Sequence, residues 1–131
     1  MGYAVAPPHL VARLDAARDP WSVSAVAQAA ALAALADSEY AARTRAWIGA
    51  ERPFLAGAVA ALPGWTLCGP PSANFLLARG PEPAHRLQER LGPPGILVRD
   101  CRSFEGLTPH HVRLAVRTRA ENQRLLEALR S

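Results

Sequence analysis

The chain contains no lysine. No side chain therefore carries a primary amine, and chemistry that needs one, such as imine formation with a carbonyl compound, is excluded for these residues. All 15 basic residues are arginines; set against 11 acidic ones they leave a net charge of +4. A GC-rich genome, which favours Arg, Ala, Gly and Pro codons together, accounts for that bias. Cysteine is scarce as well. Cys68 and Cys101 form no close pair and sit in no metal-ligand spacing, so free thiols in a reducing cytoplasm are expected. Long apolar runs are missing: the most apolar stretch, Trp21 to Ala36, is interrupted by Ser22, Ser24 and Gln28 and is rich in alanine. It is too short and too weakly apolar for a membrane span. The opening Met1-Gly2-Tyr3-Ala4 has no basic flank, so no secretory signal is expected. No Gly-rich phosphate loop, no G-x-S-x-G elbow and no paired-carboxylate arrangement occurs.

What is present is an ordinary globular balance, half hydrophobic and one fifth charged over 131 residues, enough for one domain-sized core and too little for two. Gly2 to Ala6 reads as a short strand stopped by Pro7-Pro8. Leu10, Val11 and Leu14 recur at helical spacing, giving a helix from Pro8 to about Ala17. Asp19 and Pro20 suit the start of another helix, which runs from about Ser22 to Ala36 with alanine on every side. Asp37-Ser38 opens a long helical pattern reaching Leu62. Pro53 lies inside it, where a lost backbone bond and a clash cost ~3 kcal/mol, so a kink or break is expected near Glu51. Pro63-Gly64 stops it.

Beyond Gly64 the pattern changes to short alternating elements. Strands are expected at Trp65 to Cys68 and Ala73 to Arg79, a helix from Pro83 to Leu91, strands at Ile96 to Arg99 and His111 to Arg117, and a last helix. Thr118-Arg119-Ala120-Glu121 has the form of a capping box, and Leu125, Leu126 and Leu129 line the helix that follows. The whole is a mixed α/β chain, a ββαββα unit preceded by long helices, with its helices on one face of a small sheet. The strand at Gly2 to Ala6 has no strand neighbour for some sixty residues, so its partner strand is expected outside this chain.

Strand alternation assigns Val112, Leu114 and Val116 to one face and Arg113, Ala115 and Arg117 to the other. Arg113 and Arg117 would stand roughly 13 Å apart along that face. Arg99 can join Arg113 if their strands are neighbours. Two convergent guanidiniums suit a carboxylate or phosphate, because each planar fork donates two parallel hydrogen bonds. The bland alternative is a solvated strand face with Asp100 as a partner. Other candidates are weaker. His110 and His111 point apart on a strand and lack a third metal ligand. Cys101 lies between Arg99 and Arg102, which would lower a thiol pKa, but a structural thiol is the simpler reading. Asn74 reads as a buried group bonding backbone. The arginines are scattered without aromatic interleaving, which argues against nucleic acid.

Three segments carry a resemblance: Ser72-Ala73-Asn74-Phe75-Leu76-Leu77, Gly95-Ile96-Leu97-Val98-Arg99-Asp100, and Val112 to Asn122. With Gly2-Tyr3-Ala4-Val5 and Asp19-Pro20-Trp21-Ser22-Val23 before them, they resemble the histidinol-phosphate aminotransferase and threonine-phosphate decarboxylase branch of the class I/II, fold type I, pyridoxal-phosphate enzymes. The likeness covers essentially the whole chain in order. It implies the C-terminal part of such an enzyme, with residues 1–37 a remnant of the large cofactor-binding domain and 38–131 the small C-terminal domain that closes over substrate. The Schiff-base lysine, the aspartate on the pyridine nitrogen and most phosphate-binding groups would lie upstream of Met1. No covalently bound pyridoxal phosphate and no catalytic residue are then expected in this chain, and no turnover from it alone.

In that family, arginines at the positions of Arg99 and Arg113 bind substrate anions, and Arg117 is taken with them as substrate-binding. Arg117-Thr118 resembles the Arg-Thr or Arg-Ser of threonine-phosphate decarboxylases, where the aminotransferases usually have Gly-Thr. The expectation is therefore a lyase of cobalamin biosynthesis converting threonine phosphate to aminopropanol phosphate and carbon dioxide. There the cofactor ring serves as electron sink while arginines align the bond to be broken. The alternatives are a piece of a histidinol-phosphate-type aminotransferase and a non-catalytic truncated module that binds an anion or a partner half. A cytoplasmic homodimer acting on a phosphorylated amino acid, with no metal, membrane or nucleic acid, completes the expectation.

Overall fold

The structure, a computed structural model, describes residues 2–131. The chain divides between Ala42 and Arg43 into two compact units. In the first, α1 (Pro8–Ala17) starts on a proline that needs no donor partner there, and α2 (Ala25–Ala36) starts where Ser24 Oγ accepts from the Ala27 amide at 3.2 Å. The start at Ala25 corrects the expected Ser22. Asp19 instead closes a turn, its Oδ1 accepting from Trp21 N at 2.7 Å. Residues 2–7 form no strand. The apolar run Gly2 to Ala6 is too short to form a sheet by itself. No residue of α1 or α2 is buried.

The long helix α3 (Ser38–Ala60) begins where Asp37 Oδ1 accepts from Tyr40 N at 2.8 Å. It continues through Pro53, so the expected break near Glu51 does not occur. Leu55 and Val59, fully buried just beyond the proline, explain this. Burying two such side chains gains ~3–6 kcal/mol, enough to offset one missing bond.

The second unit is the ββαββα arrangement: β1 (Thr66–Leu67), β2 (Phe75–Arg79), α4 (Ala84–Leu91), β3 (Arg99–Asp100), β4 (His111–Ala115) and α5 (Arg119–Arg130). The strands form one antiparallel sheet in the order β1-β2-β4-β3. Leu76, Ala78, Val112, Leu114 and Val116 turn to one side and join Leu55 and Val59 of α3, Leu87 and Leu91 of α4, and Leu125, Leu126 and Leu129 of α5 in a single core. The other side of the sheet is uncovered. Gly80, at the end of β2, leaves room for the Trp65 indole: a Cβ there would meet the ring at 3.2 Å. All four strands are shorter than their sequence patterns: β1 holds only Thr66 and Leu67 of the expected Trp65 to Cys68, and β2 starts at Phe75 rather than Ala73. β3 pairs only at Arg99 and Asp100 rather than from Ile96, because the backbone amides of Gly95 and Ile96 donate instead to Gly92 and Leu91 at the end of α4. β4 stops at Ala115 rather than Arg117.

Helix α5 opens on a complete capping box. Thr118 Oγ1 accepts from Glu121 N at 3.4 Å, and Glu121 Oε2 accepts from Thr118 N at 3.1 Å. Two of the helix's orphan donors are thereby satisfied reciprocally.

Candidate functional site: an arginine pair on the open face of the sheet

The period-two alternation that buries Val112 and Leu114 sends Arg113 to the uncovered side. Antiparallel pairing sets Arg113 opposite Leu77 on β2 and opposite Arg99 on β3. Residues directly opposite share a face, with Cβ atoms roughly 4.5–5.5 Å apart. The structure therefore brings Arg99 and Arg113 together on one side of the sheet, and both are exposed. Like charges in that position repel, so the arrangement favours an anion that neutralises both. Phe75, one step diagonal to Arg113, carries the guanidinium carbon 5.1 Å from its ring centroid. This cation–π contact narrows the directions Arg113 can take.

Arg117 does not join the pair. It lies past the end of β4, and its Nη2 stands 2.8 Å from Glu121 Oε1, with Nε at 3.3 Å from the same oxygen. The hydrogen bond from Arg117, followed by those from Thr118, lowers the Glu121 carboxyl from its ordinary 4.5 to about 2. The same hydrogen bond raises the Arg117 pKa. Burial still alternates through buried Val116 and exposed Arg117, but the strand pairing ends at Ala115 for a local reason. Asn122 takes both backbone groups of Arg117, accepting from its N–H at 3.0 Å and donating to its carbonyl at 2.8 Å, so the ladder cannot continue.

That asparagine belongs to a group the sequence reading missed. Asn122 is 1% exposed, and its Nδ2 also donates to Glu51 Oε2 at 3.0 Å. Glu51, buried in the middle of α3, takes Arg119 Nε on both carboxylate oxygens at 3.1 and 3.0 Å. The Arg119 guanidinium in turn lies 3.7 Å over the Phe54 ring. Hydrogen bonding from Arg119 holds the Glu51 carboxyl below its usual range, against the opposing pull of burial. Helical spacing could have revealed the pair. Asn122, Leu125, Leu126 and Leu129 form one stripe, as do Glu51, Leu55 and Val59, so each polar residue sits in line with core positions.

The remaining candidates do not converge. Asn74 is exposed rather than buried, and it is its carbonyl that accepts from Val116 N. His111 Nδ1 meets the amide and hydroxyl of Thr108, each at 2.9 Å, while His110 Nδ1 meets the Gly80 carbonyl at 3.2 Å. Cys101 is buried, and burial pushes its thiol pKa up although Arg113 and Arg99 pull the other way, so it is not an activated thiolate. Among the described residues no cluster of His, Cys, Asp or Glu could hold a metal ion, and no helix is long and apolar enough to cross a membrane. Where β3 parts from β4, a cleft of about 320 Å³ opens, walled by Leu97, Val98, Ala115, Arg117 and Arg124.

Residues 1–129 match the family described as "Aminotransferase class I and II". Over 132 residues the chain is 42% identical to a histidinol-phosphate aminotransferase of Symbiobacterium thermophilum, covering 100% of this chain and 35% of that protein. Over 121 residues it is 39% identical to a threonine-phosphate decarboxylase of Salmonella typhimurium, covering 92% and 33%. The crystal structure of the histidinol-phosphate aminotransferase from Clostridium acetobutylicum superposes with a TM-score of 0.83 at 28% identity, over 93% of this chain and 37% of that one. The chain spans about a third of the length of the curated relatives it matches. Its helices and small antiparallel sheet reproduce part of the fold type I architecture. On this match of sequence and fold, the chain belongs to the aminotransferase class I and II family.

Proposed function

We propose that this chain is the substrate-gripping part of a pyridoxal-phosphate-dependent threonine-phosphate decarboxylase, in which Arg99 and Arg113 hold the carboxylate and phosphate of the amino acid. Family members depend in general on pyridoxal phosphate. The residues of this chain do not fit covalent attachment of that cofactor, because none of them is lysine. The chain's share of the work is therefore binding and orientation. On this reading, residues 1–37 belong to the large cofactor-binding domain and 38–131 to the small domain, the working unit is a homodimer, and the setting is the cytoplasm.

The observation that carries the proposal is the pairing of Arg99 with Arg113 across the β3–β4 ladder on the open face of the sheet. Two fork-shaped donors so placed suit a doubly anionic ligand better than a neutral or cationic one. Arg117-Thr118 favours the decarboxylase over the aminotransferase. An arginine there adds positive charge at the same end of β4, although in this structure it is held by Glu121.

A domain exchange tests it. The matching third of the Salmonella decarboxylase, and separately that of the Symbiobacterium aminotransferase, is replaced with this chain. Each chimera is then given threonine phosphate and histidinol phosphate. Release of carbon dioxide from threonine phosphate by the first, abolished by R99A or R113A, supports the reading. Turnover confined to transamination of histidinol phosphate by the second replaces it with the aminotransferase. Turnover insensitive to both arginine changes refutes the anion-binding role.

A further inference from the structure

We propose that Glu51 and Asn122 are positioning residues for the arginine face, acting through the backbone of Arg117. The inference rests on the binding role proposed above for Arg99 and Arg113, and concerns what holds that face in place.

Strand β4 carries Arg113 at its centre and ends two residues later. Its last backbone ties are few. Val116 N donates to the Asn74 carbonyl at 2.9 Å, and both polar groups of Arg117 are taken by the side chain of Asn122. Asn122 is in turn fixed from α3 by Glu51, 71 residues away in sequence. Every hydrogen-bonding direction of that amide but one is used, and the residue is 1% exposed. A buried amide with three bonds has one orientation, because rotating it by half a turn would set donor against donor and acceptor against acceptor. Glu51 selects that orientation. Its carboxylate accepts only, so Nδ2 must face it and Oδ1 must face the Arg117 amide.

Arg119 keeps the selector charged. Its Nε reaches both oxygens of Glu51, and Phe54 beneath its guanidinium leaves the fork little freedom. The chain of contacts thus runs from helix α3 through a carboxylate and an amide to Arg117, two residues past the end of β4. One consequence is visible on the surface. With its backbone fixed, Arg117 points its guanidinium at Glu121. Loosening the backbone frees both the end of β4 and the cation beside the site. Glu51 and Asn122 are 7% and 1% exposed; Asn122 also borders the cleft beside Arg117, while neither is on the strand face that carries Arg99 and Arg113.

The test compares four variants of the chain by NMR titration with O-phospho-L-threonine: N122A, E51Q, R113A and L129A. Leu129 is 7% exposed and lies at the far end of α5, so L129A loosens the fold without touching the clamp and serves as a matched destabilised control. N122A is expected to weaken binding about tenfold, and E51Q severalfold, with the Arg117 amide resonance displaced in both; L129A keeps the parent affinity. Equal weakening in L129A and N122A at equal loss of melting temperature would overturn the proposal, since that is ordinary destabilisation. Unchanged affinity in N122A, with the Arg117 amide displaced, would also overturn it. If R113A binds as tightly as the parent chain, the arginine reading itself fails, which is a separate and distinguishable result.

Discussion

Arg99 stands directly across the ladder from Arg113, where pairing rules favour opposite charges, while the Arg113 guanidinium leans the other way, over Phe75 of β2. Such an arrangement stores repulsion that a ligand relieves. Substituting one arginine should separate stability from binding. R99A is expected to raise unfolding stability by on the order of a few tenths of a kcal/mol at low salt, while lowering affinity for phosphorylated amino acids at least tenfold. Urea unfolding with and without added salt checks this: the gain should shrink as ionic strength rises, because exposed charges are screened. A loss of stability in R99A at low salt would show that the pair does not repel.

The capping box predicts an acid response. The Glu121 carboxyl is depressed to about 2 from an ordinary 4.5. A group whose folded pKa is lowered contributes stability above its unfolded value and loses it as the pH falls through the folded one. The contribution should therefore be intact at pH 6 and fade between about 4.5 and 2. Glu51 shifts in the same direction and adds to the same loss. Thermal unfolding of the parent and of E121Q across that range is the check, with the two curves converging at the acid end. T118A, which removes the cap acceptor, should cost ~1 kcal/mol at neutral pH.

Lysine-free composition gives a chemical prediction. Incubated with pyridoxal phosphate and reduced with borohydride, the chain should carry label on its α-amino group alone. Peptide mapping that finds a reduced adduct on any side chain contradicts this.

Helix α2 has no buried residue, and Val26, Leu32 and Leu35 are 79%, 70% and 80% exposed. Apolar side chains left in water on one helix favour association. On the reading that residues 1–37 belong to a larger domain, the isolated chain leaves this helix bare, and sedimentation at rising concentration should show a reversible dimer of the isolated chain that L32E and L35E abolish. A monomer at all concentrations removes this expectation.

Much of the fold was readable because its signals are local and periodic. The stripe Leu125, Leu126, Leu129 and the capping residues Thr118 and Glu121 specify α5 from within twelve residues. Strand alternation specified the outward face of Arg113. The misreadings arise where side-chain contacts outside the local period decide the outcome. Pro53 argued for a broken helix until the core packed on Leu55 and Val59. Arg117 looked like the next strand residue, but an asparagine five positions on had captured its backbone. The partner of that asparagine, Glu51, lies 71 positions away, and no local pattern links the two.

Asn122 also bears on how the molecule ages. Spontaneous loss of ammonia turns exposed asparagines into aspartates, but the reaction needs the following amide to swing onto the side chain, and this one is fastened inside a helix. Were it to happen, a new carboxylate would meet Glu51 and the Arg117 carbonyl, and one acid would have to take up a proton to stay buried. Slow chemical wear should therefore begin at exposed Asn74 and leave the junction of α3, β4 and α5 intact.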